Sequence, residues 1–144
     1  MTLGHRDLIE RAGCLFDRVV VGVGYNAGKQ YLFGPDERLE LVRAACADLA
    51  TVQVEPMPGL LVDFCAQCGA GVVVRGARCG GDFDHELALA AMNRSLGGVE
   101  TIVLPARAEV GFISSSLVRS IIRASGPVDA YVPPVVAERV RKES

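Results

Sequence analysis

The stretch Val72-Val73-Val74-Arg75-Gly76-Ala77-Arg78 decides how this sequence is read. Three β-branched residues in succession suit a strand buried on both faces, and two arginines follow where that strand must end. On its amino side, the spacing from Leu60 to Cys68 predicts a helix closed by Gly69. On its carboxyl side, a longer helix is predicted from Asp82 to Leu96 and stopped by Gly97-Gly98.

The same alternation continues outward in both directions. Leu8, Ile9, Ala12, Leu15 and Phe16 mark one face of a helix between His5 and Phe16, followed by a strand at Val19-Val20-Val21-Gly22-Val23 and a polar loop from Tyr25 to Gln30. Pro35, Asp36 and Glu37 start another helix, with Leu39, Val42, Ala45, Cys46 and Leu49 as its apolar stripe. A short strand is expected at Val52-Gln53-Val54. Thr101 to Leu104 forms the last strand, a helix runs from Ser114 to Ala124, and Pro133-Pro134 introduces a short final helix. Valine-rich strands separated by helices require a parallel sheet covered on both faces. The expected fold class is therefore α/β, a Rossmann-like doubly wound parallel sheet in a single domain spanning residues 1–144. Such a sheet ordinarily begins with a strand, whereas a helix comes first here. The first strand is accordingly expected to be missing from the chain as given, with Met1 read as an internal methionine whose frame continues upstream.

Composition agrees with one folded domain. The 144 residues are 50% hydrophobic and 22% charged, which excludes a disordered acidic or low-complexity chain. A net charge of −2 offers no basic field for nucleic acid or an anionic membrane. No apolar run approaches the ~18 residues of a membrane span, and Arg6, Asp7, Glu10 and Arg11 fall where a secretory apolar region would lie. The expectation is a soluble, cytoplasmic protein with no nucleic-acid or membrane partner. Five scattered cysteines read as a reduced set, and Cys65-x-x-Cys68 lacks the further ligands that a zinc site needs. No metal site is expected among the side chains.

In an open parallel sheet, ligands bind beyond the carboxyl ends of the strands. Lys29 follows the first valine run, Arg75 to Arg78 follow the second, and Ser114-Ser115-Ser116 close the loop after Leu104. Lys29 reads either as a solvated loop residue or as a phosphate-binding cation. Arg75 directly follows a buried strand, so it requires an anionic partner, which is either a carboxylate or a ligand. One of the three serines caps a helix whose first N–H groups are free to hold an anion. His5 is either a cap or surface residue or a contact to an anion at its helix start, and His85 reads as a partly exposed polar position. Gly24, Gly28 and Lys29 fail as a Walker loop because the glycines are one residue too close and Gln30 stands where Ser or Thr is needed. Gly22-Val23-Gly24 lacks the third glycine of a dinucleotide fingerprint, and no Gly-x-Ser-x-Gly elbow occurs.

In order, these residues resemble the bacterial phosphopantetheine adenylyltransferase family, nucleotidyltransferases of coenzyme A biosynthesis. Thr2-Leu3-Gly4-His5 is similar to the family's Thr-x-Gly-His motif, and Arg75-Gly76-Ala77-Arg78 to its Arg-Gly-x-Arg segment. Asp82-Phe83-Asp84-His85-Glu86 with Met92-Asn93-Arg94 resembles its acidic helix, and Ile113-Ser114-Ser115-Ser116 its serine signature. The resemblance implies transfer of adenylyl from ATP to 4′-phosphopantetheine, giving 3′-dephospho-coenzyme A and pyrophosphate by direct in-line attack, with Mg2+, in a cytoplasmic homohexamer. It implies His5, Lys29 and Arg78 as catalytic residues, and Lys29, Leu61 and Arg75 as contacts to phosphopantetheine. ATP would be held by His5, Gly76, Ala77, Arg78, Glu86 and the run Val110, Gly111, Phe112, Ile113, Ser114, Ser115 and Ser116. The sequence departs from the family pattern at His85 (usually Tyr), Ala88 (usually Gln) and Val110 (often aromatic), and it begins after the family's first strand and its Gly-Ser/Thr-Phe-Asp-Pro turn. A rival transferring AMP or CMP to another phosphate is disfavoured by the pantetheine-side match at Gly59-Leu60-Leu61-Val62-Asp63-Phe64. The alternative from another class is a module that binds ATP or coenzyme A without turnover.

Overall fold

The computed structural model describes every residue except Ala27, Lys29 and Ser144, together with the side chain of Glu143. Helix α1 (Leu3–Leu15) leads into strand β1 (Val19–Gly24), then α2 (Pro35–Ala45), β2 (Val52–Met57), α3 (Leu61–Cys68) and β3 (Val72–Ala77). The chain continues with α4 (Gly80–Gly97), β4 (Glu100–Pro105), the short α5 (Ala108–Gly111), α6 (Ser115–Arg123) and α7 (Pro134–Glu143).

Local chemistry accounts for most of these boundaries. Pro35 opens α2 with Asp36 and Glu37 in its first turn, where an anion suits the helix dipole. That helix ends at Ala45 rather than at Leu49, so the apolar stripe runs past the helix into a turn. Gly98 ends α4 at φ 66°, a left-handed conformation that costs other residues a steric penalty. Gly22 interrupts the valine run because a Cβ there would come within 2.9 Å of Phe64 Cε1 and 3.1 Å of Met57 Sδ. Strand β2 is longer than its three-residue core and includes Pro56, which lacks a donor. It is tolerated because, among the described residues, β2 pairs with β1 alone, so one of its edges carries no ladder.

All strand pairing is parallel, as the alternation requires, but among the described residues the ladder comes in two pieces. β1 pairs with β2 from Val19↔Val52 to Gly24↔Met57, and β3 pairs with β4 from Val72↔Glu100 to Ala77↔Pro105. Helix α1 packs against both β1 and β3 and joins the two halves. Arg6 fastens α1 further by a bidentate pair with Asp48, at 2.8 and 2.6 Å.

The main core lies among α2, α6, α7 and the segment that precedes α7. Leu41, Ile113, Val118, Val128, Val132, Val136, Ala137 and Val140 form one buried cluster. Val136, Ala137 and Val140 share a face of α7, and Arg139 on the same helix pairs with Glu37 of α2. A smaller cluster of Val62, Cys65 and Val99 seats α3 beside β3 and β4. This packing carries the loops that follow Gly24, Met57, Ala77 and Pro105 to one edge, where the site is found.

Val136 is 3% exposed, so Val136→Ala removes two buried methyl groups and leaves a void. A loss of about 2 kcal/mol is expected in urea-unfolding midpoints at unchanged slope.

Candidate active site at the carboxyl ends of the strands

Two adjoining hollows open at this edge. One, of about 440 Å3, lies between α1, β3 and the start of α6, and is lined by His5, Arg75, Gly76, Arg78, Glu86, Val110, Ile113 and Ser114 to Ser116. The other, of about 410 Å3, lies between α1, β1 and α2 and is more apolar, with Val21 to Gly24, Tyr31, Phe33 and Arg38 on its walls. Thr2, His5 and Ser115 line both, so the start of α1 is their shared rim.

His5 occupies the third position of α1 and reaches back to the residue that caps it. Its Nδ1 accepts the Thr2 backbone N–H at 3.1 Å and lies 2.8 Å from Thr2 Oγ1. A backbone amide can only donate, so Nδ1 is the acceptor and the neutral ring carries its proton on Nε2. The ring is open to solvent along the hollows, yet enough protein crowds it that lost hydration dominates its titration. That burial, then the amino-terminal charge, Arg78 and Arg75, push its pKa from 6.5 down to about 4. At neutral pH His5 is therefore an uncharged hydrogen-bond donor.

The two arginines are held by the acidic face of α4. Arg75 Nε and Nη2 donate to Glu86 at 2.8 and 3.0 Å, and Glu86 is 7% exposed. Of the two readings left open for Arg75, the carboxylate partner is realised, while the residue still lines the hollow. Arg78 makes the same fork to Asp82 at 2.8 and 3.1 Å. Its hydrogen bonds hold the Asp82 carboxyl below the usual range.

Ser114 is the serine that caps α6, its Oγ accepting the Leu117 N–H at 3.1 Å. Ser116 Oγ accepts from Arg119 at 3.0 Å. The amides of Ser115 and Ser116 lie in the first turn and have no intrahelical acceptor, so this helix start offers N–H donors to an anion.

Not every expected site residue reaches a hollow. Leu61 sits at the start of α3 against the Val62, Cys65 and Val99 cluster, and lines neither. Ala77 and Gly111 are partly exposed nearby, and Phe112 points outward, 64% exposed, with its ring edge-on to Tyr131. Lys29 lies outside the described residues. Cys65 is buried, which raises its pKa, and Cys68 is partly exposed. Sequence reasoning gave no role to Thr2, Asp82 or Arg38. The spacing of four between Arg78 and Asp82 was the available signal for that pair. Nothing in the sequence indicated that Arg38 would stack 3.8 Å over Tyr31 and donate to Gly24 O.

A protein-held Mg2+ does not fit this donor set. Among the described residues no cluster of three or more His, Cys, Asp or Glu could hold a metal ion. The three carboxylates on the wall, Asp7, Asp82 and Glu86, are already engaged by arginines. Among the same residues, no helix is long and apolar enough to cross a membrane.

Comparison with known proteins gives a consistent result. Residues 1–121 match the family model described as cytidylyltransferase-like. The chain is similar to the phosphopantetheine adenylyltransferase of Cutibacterium acnes, at 49% identity over 94% of this chain and 87% of the relative. It is 46% identical to that of a Nocardioides species over 98% of this chain and 89% of the relative. With that of an Acidovorax species it shares 50% identity over 97% and 86%.

NMR titration of the imidazole tests the state of His5. Its folded pKa lies below the unfolded value, so the native state binds the proton less readily than the unfolded chain. The associated stability is complete above pH 6.5, and is lost as pH falls toward about 4. The ring should show a midpoint near 4 and an Nε2–H tautomer at pH 7.

Proposed function

Because the chain belongs to the phosphopantetheine adenylyltransferases of the cytidylyltransferase-like family, we propose that it transfers adenylyl from ATP to 4′-phosphopantetheine, releasing 3′-dephospho-coenzyme A and pyrophosphate. An oxygen of the phosphopantetheine phosphate attacks the α-phosphorus in line. The bond from that phosphorus to the bridging oxygen breaks, and the electron pair leaves on pyrophosphate. The substrate brings its own nucleophile, so the protein's task is alignment and charge stabilisation. Alignment of two substrates can contribute about 7–11 kcal/mol, and each well-placed donor about 2.7–4 kcal/mol.

The observation that carries this reading is a neutral imidazole, tautomerically fixed as a donor, in one hollow with two oriented guanidinium groups. His5 donates through Nε2 to an α-phosphate oxygen as charge grows there. Arg78 stabilises the triphosphate, with Gly76, Ala77, Glu86 and the run from Val110 to Ser116 around the nucleotide. Arg75 and Lys29 serve the phosphopantetheine side, with Lys29 also binding the reacting phosphate, and Leu61, outside both hollows, would meet only a part of that substrate extending beyond them. Mg2+ enters as part of the substrate, carried on the ATP phosphates, since the protein's own carboxylates are committed elsewhere. Residues 1–144 act as a single domain, in a cytoplasmic setting in which the free cysteines stay reduced. Self-association, as the homohexamer that the family resemblance implies, is supported by α4 only as far as an apolar surface to bury, since its Phe83, Leu87, Leu89, Met92 and Leu96 are all exposed.

Pyrophosphate release with ATP and 4′-phosphopantetheine tests the reaction. His5→Ala should lower kcat by about 10²–10³-fold. The lost helix-cap contact should cost only ~1 kcal/mol, seen as a fall in Tm of about 4 °C. Lys29→Ala should lower turnover without a comparable fall in Tm. A wild-type chain that releases no pyrophosphate while ATP or coenzyme A still raises its Tm would instead be a binding module.

A further inference from the structure

We propose that Asp82 is a positioning residue of the nucleotide cleft, which fixes the direction of the Arg78 guanidinium before ligand arrives. The inference rests on the reading that Arg78 meets a phosphate there. Asp82 Oδ2 accepts the Arg78 backbone N–H at 3.0 Å and its Nε–H at 2.8 Å, while Oδ1 accepts from Nη2 at 3.1 Å. An ordinary surface pair joins two flexible side-chain tips and orders little. Here one carboxylate grips both the main chain and the head group of the same residue, so the guanidinium is fixed relative to its own backbone. The grip uses the Nε and Nη2 edge and leaves Nη1 without a protein hydrogen-bond acceptor among the described residues. Arg78 and Asp82 line the same hollow as His5, and the charge of Arg78 acts on that ring.

Asp82 itself is well founded. It lies in the first turn of the 18-residue helix α4, where a negative side chain is favoured by the helix dipole. Its carboxyl is also held in the ionised form by Arg78, which keeps the clamp engaged at neutral pH. An arginine held in this way loses little further freedom on meeting a phosphate, whereas an unclamped one must be ordered at that moment.

A double-mutant cycle on Arg78 and Asp82 tests the assignment. Asp82→Ala should reduce kcat/KM for ATP by about tenfold, Asp82→Asn should do so less, and thermal stability should change little. In an Arg78→Ala background, Asp82→Ala should have almost no further effect, because the group it orients is gone. Full additivity of the two losses, or an unchanged kcat/KM in Asp82→Ala, would overturn the proposal. If Asp82→Ala does not fold, Asp82→Asn completes the same cycle. If the wild-type chain shows no turnover, the adenylyl-transfer reading fails separately, and the cycle is read from the Kd for ATP by calorimetry. Coupling of the two residues in Kd then supports the clamp, and its absence refutes it.

Discussion

Two bidentate ion pairs, Arg75 with Glu86 and Arg78 with Asp82, set the shape of the cleft. Arg75 lies inside β3, in register with Val103, Arg78 follows its last residue, and both carboxylates stand one turn apart on α4, so the pairs lock the strand to the helix that follows. Guanidinium and carboxylate are planar forks, and two parallel hydrogen bonds fix orientation as well as distance. Glu86 is buried with its carboxylate against the Arg75 guanidinium, while Asp82 is more open and complements the helix dipole. A wall built in this way presents positive charge in fixed directions. Those charges suit the cleft to a polyanion, and they also help to keep the facing His5 unprotonated. One arrangement thus yields two kinds of donor, charged and neutral, within a single hollow.

The alternation of strands and helices was legible because both its periods are strong. The valine runs at Val19 and Val72 have no helical reading of comparable quality, and glycine or proline punctuates most of the helices. The edge at which chemistry gathers also followed from topology, since parallel strands carry their carboxyl ends to one side. Ends and short elements were less legible. The four-residue helix α5 was read as a loop, because so short a piece has no periodicity to detect. Pro56 concealed the second half of β2, and only the free edge of that strand explains its presence.

Within the site, the cations and serines were legible as residue types, but their partners were not. Arg75 demanded an anion, yet nothing along the chain said that Glu86, eleven residues on, would supply it. The tautomer of His5 was equally hidden, because it depends on one backbone amide, that of Thr2, at a helix start. Sequence names the side chain, whereas its protonation and direction come from the local fold.

These partners bear on how such a site can act without a protein nucleophile. Its donors must be aimed before charge develops, since groups that reorganise during reaction contribute less. Each principal donor of the described cleft has its fixing contact: His5 has the Thr2 amide, Arg75 has Glu86, Arg78 has Asp82, and the first turn of α6 has the Ser114 cap. The carboxylates are spent on orientation, so they are not left to compete with a ligand's phosphates for the cations or to repel them from open positions. An acidic helix beside a phosphate-binding cleft would otherwise be an electrostatic contradiction. Neutralised pair by pair, it becomes the scaffold that aims the positive charge.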